Sequence, residues 1–300
     1  MNMDFTGLSV ALATPFTKTG EVDFDGFKRL VKHCVGGGVD VLIPLGSTGE
    51  AATIVDTERD DIIRVCIENA GDRKVVVGCG SNSTTQSAAW SRRAQELGAH
   101  GLLVVTPYYN KPTTAGLVSH FEACALAANK LPIIAYNVPG RTGLNMTPEA
   151  LHQVWRVDQV VAVKESSGNL AQIGEICRTL PKGKQLLSGD DNLALASIAV
   201  GASGLVSVLG NILPKETKAL VTAAMRGDFA EARSWHFRLL PIIDALFVES
   251  NPIPLKAGLD ILGICGDSLR LPLVSATDRA RKGVQDALER LNQVAVGPVS

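Results

Sequence analysis

Eight short apolar runs, rich in Val, Ile and Leu and spaced by about one helix plus one strand, constrain this chain more than any other feature. They are Leu8–Ala13, Val39–Leu45, Lys74–Cys79, Gly101–Thr106, Pro132–Asn137, Gln159–Lys164, Gln185–Ser188 and Gly204–Leu209. Continuous apolar character, without alternation, marks strands covered on both faces, as in parallel sheets flanked by helices. The intervening segments carry helix punctuation. Asp56-Thr57-Glu58 opens one, Ile62, Ile63, Cys66, Ile67 and Ala70 supply its stripe, and Gly71 closes it. Ser83-Thr84 caps a second that stops at Gly98, Leu117 to Ala128 carries a third, and Thr147-Pro148-Glu149 starts a fourth with proline at its first position.

Eight such units predict a (β/α)8 barrel, the TIM-barrel class of α/β folds. A doubly wound sheet fits less well, because no dinucleotide fingerprint follows a strand: Gly78-Cys79-Gly80 lacks the third glycine. Strand signals stop near residue 226, and Phe229–Phe247, Ile253–Leu262 and Thr277–Val294 read as helices, with Pro241 expected to bend or split the first. The expected organisation is a barrel over residues 1–226 and a helical C-terminal domain over 227–300.

Composition removes several function classes. Of 300 residues, 46% are hydrophobic, enough for a sizeable core. Lys plus Arg number 29 and Asp plus Glu 30, so there is no electrostatic case for nucleic acid or an anionic membrane. The six cysteines show neither metal-ligand nor redox spacing, and we expect reduced, buried thiols in a cytoplasmic protein. The five histidines are equally scattered, which leaves no expected metal site, and no phosphate-binding loop is present. Asp4 precedes the first basic residue, Lys18, so no secretory leader is expected. Asn192 to Pro214 is uncharged and long enough to cross a bilayer, but its glycines and serines predict a buried helix, a turn and a strand.

Barrels of this kind place chemistry at the C-terminal ends of their strands. Those ends here are Gly46-Ser47-Thr48-Gly49-Glu50, Thr106-Pro107-Tyr108-Tyr109-Asn110, Tyr136 to Thr142 and Lys164-Glu165-Ser166-Ser167-Gly168. Alternation over Val160–Lys164 turns Lys164 and Ala162 to one face and Val161 and Val163 to the other. The β-branched pair suits the helix side, so Lys164 points into the barrel mouth, where desolvation favours its neutral, nucleophilic form. A rim lysine paired with a loop carboxylate is the equal-weight alternative. Tyr136 shares the inward parity of Ile134 and is either an amphipathic plug or a general acid/base. Arg141 is a surface arginine by default and a clamp on a substrate carboxylate in the sharper reading. Ser47-Thr48 alone reads as turn chemistry, Tyr108-Tyr109 as packing, and Asp190-Asp191 as caps.

Taken in order along nearly the whole chain, these segments resemble the dihydrodipicolinate synthase and N-acetylneuraminate lyase family of class I aldolases. The landmarks are Ala13-Thr14-Pro15-Phe16, Gly46–Glu50, Thr106–Pro112, Tyr136–Thr142, Lys164–Asn169, Ser188–Asp191 and Glu249–Pro254. The Tyr-Asn-Val-Pro-x-Arg-Thr pattern at 136–142 is similar to the synthase branch. That resemblance implies condensation of pyruvate with aspartate-4-semialdehyde on the route to diaminopimelate and lysine, with no metal or organic cofactor. It implies that Lys164 forms the pyruvate Schiff base, that Tyr136 moves protons, and that Ser47 and Tyr109 relay them. Thr48 would hold the pyruvate carboxylate, and Arg141 that of the semialdehyde. Val206, Gly189 and Asn251 would complete the pocket.

The resemblance also implies a dimer as the smallest complete unit, Tyr109 entering the neighbouring subunit, and a homotetramer as the usual form. Ser47 stands where the family usually has threonine. Arg59, Asn82, Gln86 and Tyr108 fall on the family's effector site. Arg59 and Gln86 replace the histidine and glutamate of lysine-sensitive members, so weak or absent inhibition by lysine is expected. Two other functions stay open: another pyruvate-dependent aldolase or dehydratase, and a non-catalytic keto-acid-binding barrel.

Overall fold

In the computed structural model, which describes residues 4–129 and 131–293, all eight apolar runs are strands. They are β1 (Gly7–Ala11), β2 (Val41–Ile43), β3 (Lys74–Gly78), β4 (Gly101–Val105), β5 (Ile133–Asn137), β6 (Val160–Glu165), β7 (Gln185–Ser188) and β8 (Gly204–Ser207). Every neighbouring pair is parallel, and β8 returns to β1, closing the barrel. The helices are α1 (Phe24–Gly36), α2 (Asp56–Asn69), α3 (Thr84–Glu96), α4 (Thr114–Ala127), α5 (Pro139–Thr142), α6 (Pro148–Val154), α7 (Leu170–Arg178), α8 (Ala194–Ala199), α9 (Pro214–Met225), α10 (Phe229–Leu246), α11 (Ile253–Ile261) and α12 (Asp278–Gln293). The expected caps are in place: Ser83 accepts from the Gln86 amide and Thr147 from that of Ala150.

Strand alternation sorts the apolar residues into two layers. Ala11, Ile43, Val76, Leu103, Ile134, Tyr136, Ala162, Leu187 and Val206 belong to the barrel interior. Val10, Leu42, Val77, Val104, Ala135, Val163 and Leu205 pack outward among the helices. Phe5, fully buried, joins the inner cluster, and a Cβ at Gly101 would stand 3.1 Å from its ring. Glycine at 101 therefore makes room for this plug, whose truncation to alanine costs about 3–5 kcal/mol.

The uncharged stretch from Asn192 to Pro214 resolves into α8, a left-handed Gly201 and β8, with no helix among the described residues long and apolar enough to cross a membrane. Pro241 sits inside α10 without splitting it. The bond it removes is to the carbonyl of Phe237, a residue on the exposed side of the helix (58% exposed), so the loss falls on the solvent side rather than in the core. Beyond α9, α10 packs on α9 and α12, and α11 on α12. The expected end of the last helix, Val294, lies outside the described residues.

Candidate active site

Tyr136 and Lys164 are register partners on β5 and β6, so their side chains emerge side by side on the inner face. Both are buried, at 7% and 5% exposure, and Lys164 Nζ stands 4.2 Å from the centroid of the Tyr136 ring. Among the described residues Lys164 makes no ion pair. Gly189, at the end of β7, leaves room for the lysine stem: a Cβ there would lie 2.8 Å from Lys164 Cε. Glu165, of opposite parity, faces away and accepts from Asn137 Nδ2 at 2.9 Å and the Ser167 amide at 2.8 Å. The residues following Tyr136 and Lys164 are thus tied together on the outer face, which fixes the register of the two inner groups.

A cavity of about 410 Å³ opens against Tyr136, with Ser47, Tyr108, Arg141 and Asn251 also in its wall; Lys164 is not among its wall residues. Ser47 is exposed at its edge, whereas Thr48 is buried. Asn251 Nδ2 donates to Thr48 Oγ1 at 2.9 Å, and Arg141 Nη2 donates to the Asn251 carbonyl at 2.9 Å. One edge of the guanidinium is thereby held, and the side chain is otherwise exposed. Val206 lies fully buried in the same inner cluster as Tyr136.

The acidic pair after β7 divides its labour. Asp191 is buried and accepts from Ser207 Oγ and the Val208 and Leu209 amides, so it caps the turn after β8. Burial pushes its carboxyl up. Asp190 makes no side-chain cap, and burial pushes its carboxyl up to about 6, against the pull of the Lys164 charge. Among the described residues no group of carboxylates, thiols and imidazoles is arranged to hold a metal ion.

The sequence profile of the Dihydrodipicolinate synthetase family matches residues 4–291. The chain belongs to this family. It is 43% identical over 291 residues to a 4-hydroxy-tetrahydrodipicolinate synthase of Kosmotoga olearia, covering 95% of this chain and 98% of the relative. Its fold matches the dihydrodipicolinate synthase of Aquifex aeolicus with a TM-score of 0.93 at 39% identity, over 96% of this chain and 98% of the other. A chloride-inhibited dihydrodipicolinate synthase from Acinetobacter baumannii, solved in complex with pyruvate, superposes with a TM-score of 0.94 at 33% identity, over 97% and 100% of the two chains.

Not every family position converges on the cavity. Tyr109 is 88% exposed on a left-handed backbone (φ 71°) and does not line the cavity of its own chain. The effector-site positions are likewise divided. Arg59 and Gln86 line a second cavity of about 300 Å³, while Tyr108 lines the larger one and the Asn82 carbonyl accepts from Asn110 Nδ2. Arg59 is buried, donates to the Gly78 carbonyl at 2.6 Å and stacks 3.8 Å over Trp90. Four residues of the site region, Glu50, Asp190, Pro272 and Leu273, are not marked as site residues by the sequence. Glu50 closed a quoted strand end and carried its signal there. Asp190 was read as a cap. Pro272 and Leu273 come from a segment with no periodic pattern, so nothing in the sequence pointed to the cavity wall they form.

Proposed function

We infer that this chain condenses pyruvate with aspartate-4-semialdehyde through an imine on Lys164, giving 4-hydroxy-tetrahydrodipicolinate. The observation that carries the reading is the pairing of a buried lysine, free of any described ion-pair partner, with a phenol ring 4.2 Å away. A lysine that only balanced charge would sit against a carboxylate. Binding alone needs no nucleophile.

The Lys164 amine attacks C2 of pyruvate, and loss of water gives the imine. Removal of a proton from C3 gives the enamine, whose carbon attacks the aldehyde. The amine of the adduct then closes the ring on C2 and releases Lys164, so the substrates supply every group that reacts. Tyr136 is the general acid/base at each transfer. Ser47 and Tyr109 relay protons to it. Thr48 receives the pyruvate carboxylate, Gly189 and Val206 shape the cavity beside the lysine, and Asn251 holds Thr48 while Arg141 takes the carboxylate of the semialdehyde.

The exposure of Tyr109 supports a shared site: its hydroxyl serves a second subunit, which makes a dimer the smallest working unit and a dimer of dimers the full assembly. The helices over 227–300 form a C-terminal domain whose first cavity residue is Ser250. Free lysine inhibits weakly or not at all, because Arg59 repels a cationic effector and Gln86 supplies no countercharge. Borohydride reduction in the presence of pyruvate, read by peptide mass spectrometry, tests the core reading. The expected product is a lysine adduct at 164, and an unmodified Lys164 overturns it.

A further inference from the structure

A second lysine is sealed at the same end of the barrel. Lys256 on α11 and Glu50 in the turn after β2 have side-chain exposures of 0% and 1%, and Lys256 Nζ lies 2.5 Å from Glu50 Oε1. Lys256 also donates to the Ser268 carbonyl at 2.8 Å and stands 4.1 Å over the Phe16 ring. Glu50 Oε2 accepts from the Arg270 amide at 3.1 Å. Three separate stretches therefore meet at one ion pair, and each reaches the cavity within a few residues. The β2 turn brings Ser47, the start of α11 brings Asn251, which donates to Thr48 on that turn, and the segment after Arg270 brings Pro272 and Leu273.

Stability does not explain the pair. Burying two charges costs several kcal/mol per ion, and well-packed apolar residues in their place are often neutral or stabilising. Glu50 moreover holds a left-handed backbone (φ 52°), a conformation that costs a non-glycine residue roughly 1–2 kcal/mol. The turn it closes is wound tightly, with the Glu50 amide on the Ser47 carbonyl and that of Gly49 on Gly46. The residue held in this way stands two positions from Thr48.

We propose that Lys256 and Glu50 are positioning residues for the condensation, their ion pair setting the β2 turn and the start of α11 so that Thr48 meets the pyruvate carboxylate. The inference rests on the reading of Lys164 and Thr48 given above. Neither side chain touches the reacting atoms. Uniform binding is what such a clamp supplies, so its loss appears in KM for pyruvate rather than in kcat.

The test uses Glu50→Gln, Lys256→Arg and the apolar pair Lys256→Met with Glu50→Leu, each in the full chain, in an assay coupled to a dihydrodipicolinate reductase. Glu50→Gln and the apolar pair are expected to raise KM for pyruvate roughly tenfold, with kcat within about threefold and KM for the semialdehyde unmoved. Lys256→Arg is expected to recover most of the loss. A merely structural role lowers kcat by reducing the folded fraction and leaves KM alone. That outcome, unchanged KM in folded variants, or failure of every variant to fold overturns the proposal. Borohydride trapping of pyruvate on the unmodified chain is the separate control: if it fails there, the reading of Lys164 falls.

Discussion

Two lysines are buried at the mouth of this barrel, and their surroundings differ in one respect that separates chemistry from architecture. Lys256 lies against a buried carboxylate, a backbone carbonyl and an aromatic face, so its ammonium form is answered from three sides. Burial holds its pKa below the usual lysine value, with Glu50 pulling it only part of the way back. Lys164 has the face of a phenol and a glycine-made gap, with its acidic neighbours Asp190 and Asp191 themselves pushed up by burial. Burial is thus common to both and decides nothing. The partner separates them: in the proposed reading Lys256, paired with Glu50, is a strut, and Lys164, with no ion-pair partner among the described residues, is the nucleophile.

The largest effect is expected at Lys164. Lys164→Ala should lower turnover by on the order of 10³-fold or more while the chain stays folded, because the covalent route is gone. Pyruvate trapped on Lys256 in that variant, read by peptide mapping, would break the contrast. Tyr136→Phe should cost about 10²–10⁴-fold in kcat, the usual share of a general acid/base, with the adduct still trappable given longer exposure. Lys256→Met alone should destabilise by about 3–5 kcal/mol in denaturant unfolding, since Glu50 is left buried and unpaired, whereas the apolar pair restores most of that. Equal stability in the single and double variants would remove the strut from the comparison.

Smaller effects probe the rim. Arg141→Ala should raise KM for the semialdehyde by roughly 10–100-fold, the worth of a charge-assisted contact, and leave KM for pyruvate in place. A flat response would favour a different acceptor substrate. Asp190 offers the mildest test. Its carboxyl titrates at about 6, so it is anionic above that pH and neutral below. The anion favours the cationic imine on Lys164, so activity should fall a few-fold as pH drops through 6. Asp190→Asn should flatten that limb of the kcat profile; an unchanged limb would assign it elsewhere.

Much of the site was legible because strands convert sequence parity into direction. Ala162–Lys164 shows which way Lys164 points, and Tyr136 follows by the same rule on the neighbouring strand, whereas Val161, expected on the helix side with Val163, packs against the inner cluster because the β5–β6 register shifts there. Arg141 and Thr48 were legible as members of strand-end segments. What could not be read was which long-range partners those groups meet. Asp190 reads as a cap until the fold sets it near Lys164, and Lys256 falls inside the helix expected over Ile253–Leu262 with nothing to single it out. Its partner Glu50 is 206 positions away, and no local pattern encodes that distance. Pro241, expected to bend or split its helix, does not split it, because its missing bond falls on the exposed side.

The sequence by itself determined the barrel, since eight doubly apolar strands of similar length have few ways to hide both faces, and it determined the inward lysine and phenol, since period-two geometry is local. The tertiary structure alone decided which of two buried lysines has an ion-pair partner among the described residues and which has none. That choice rests on electrostatic partners brought from distant turns and helices, and Coulombic neighbours depend on distance in space, which parity and spacing do not carry.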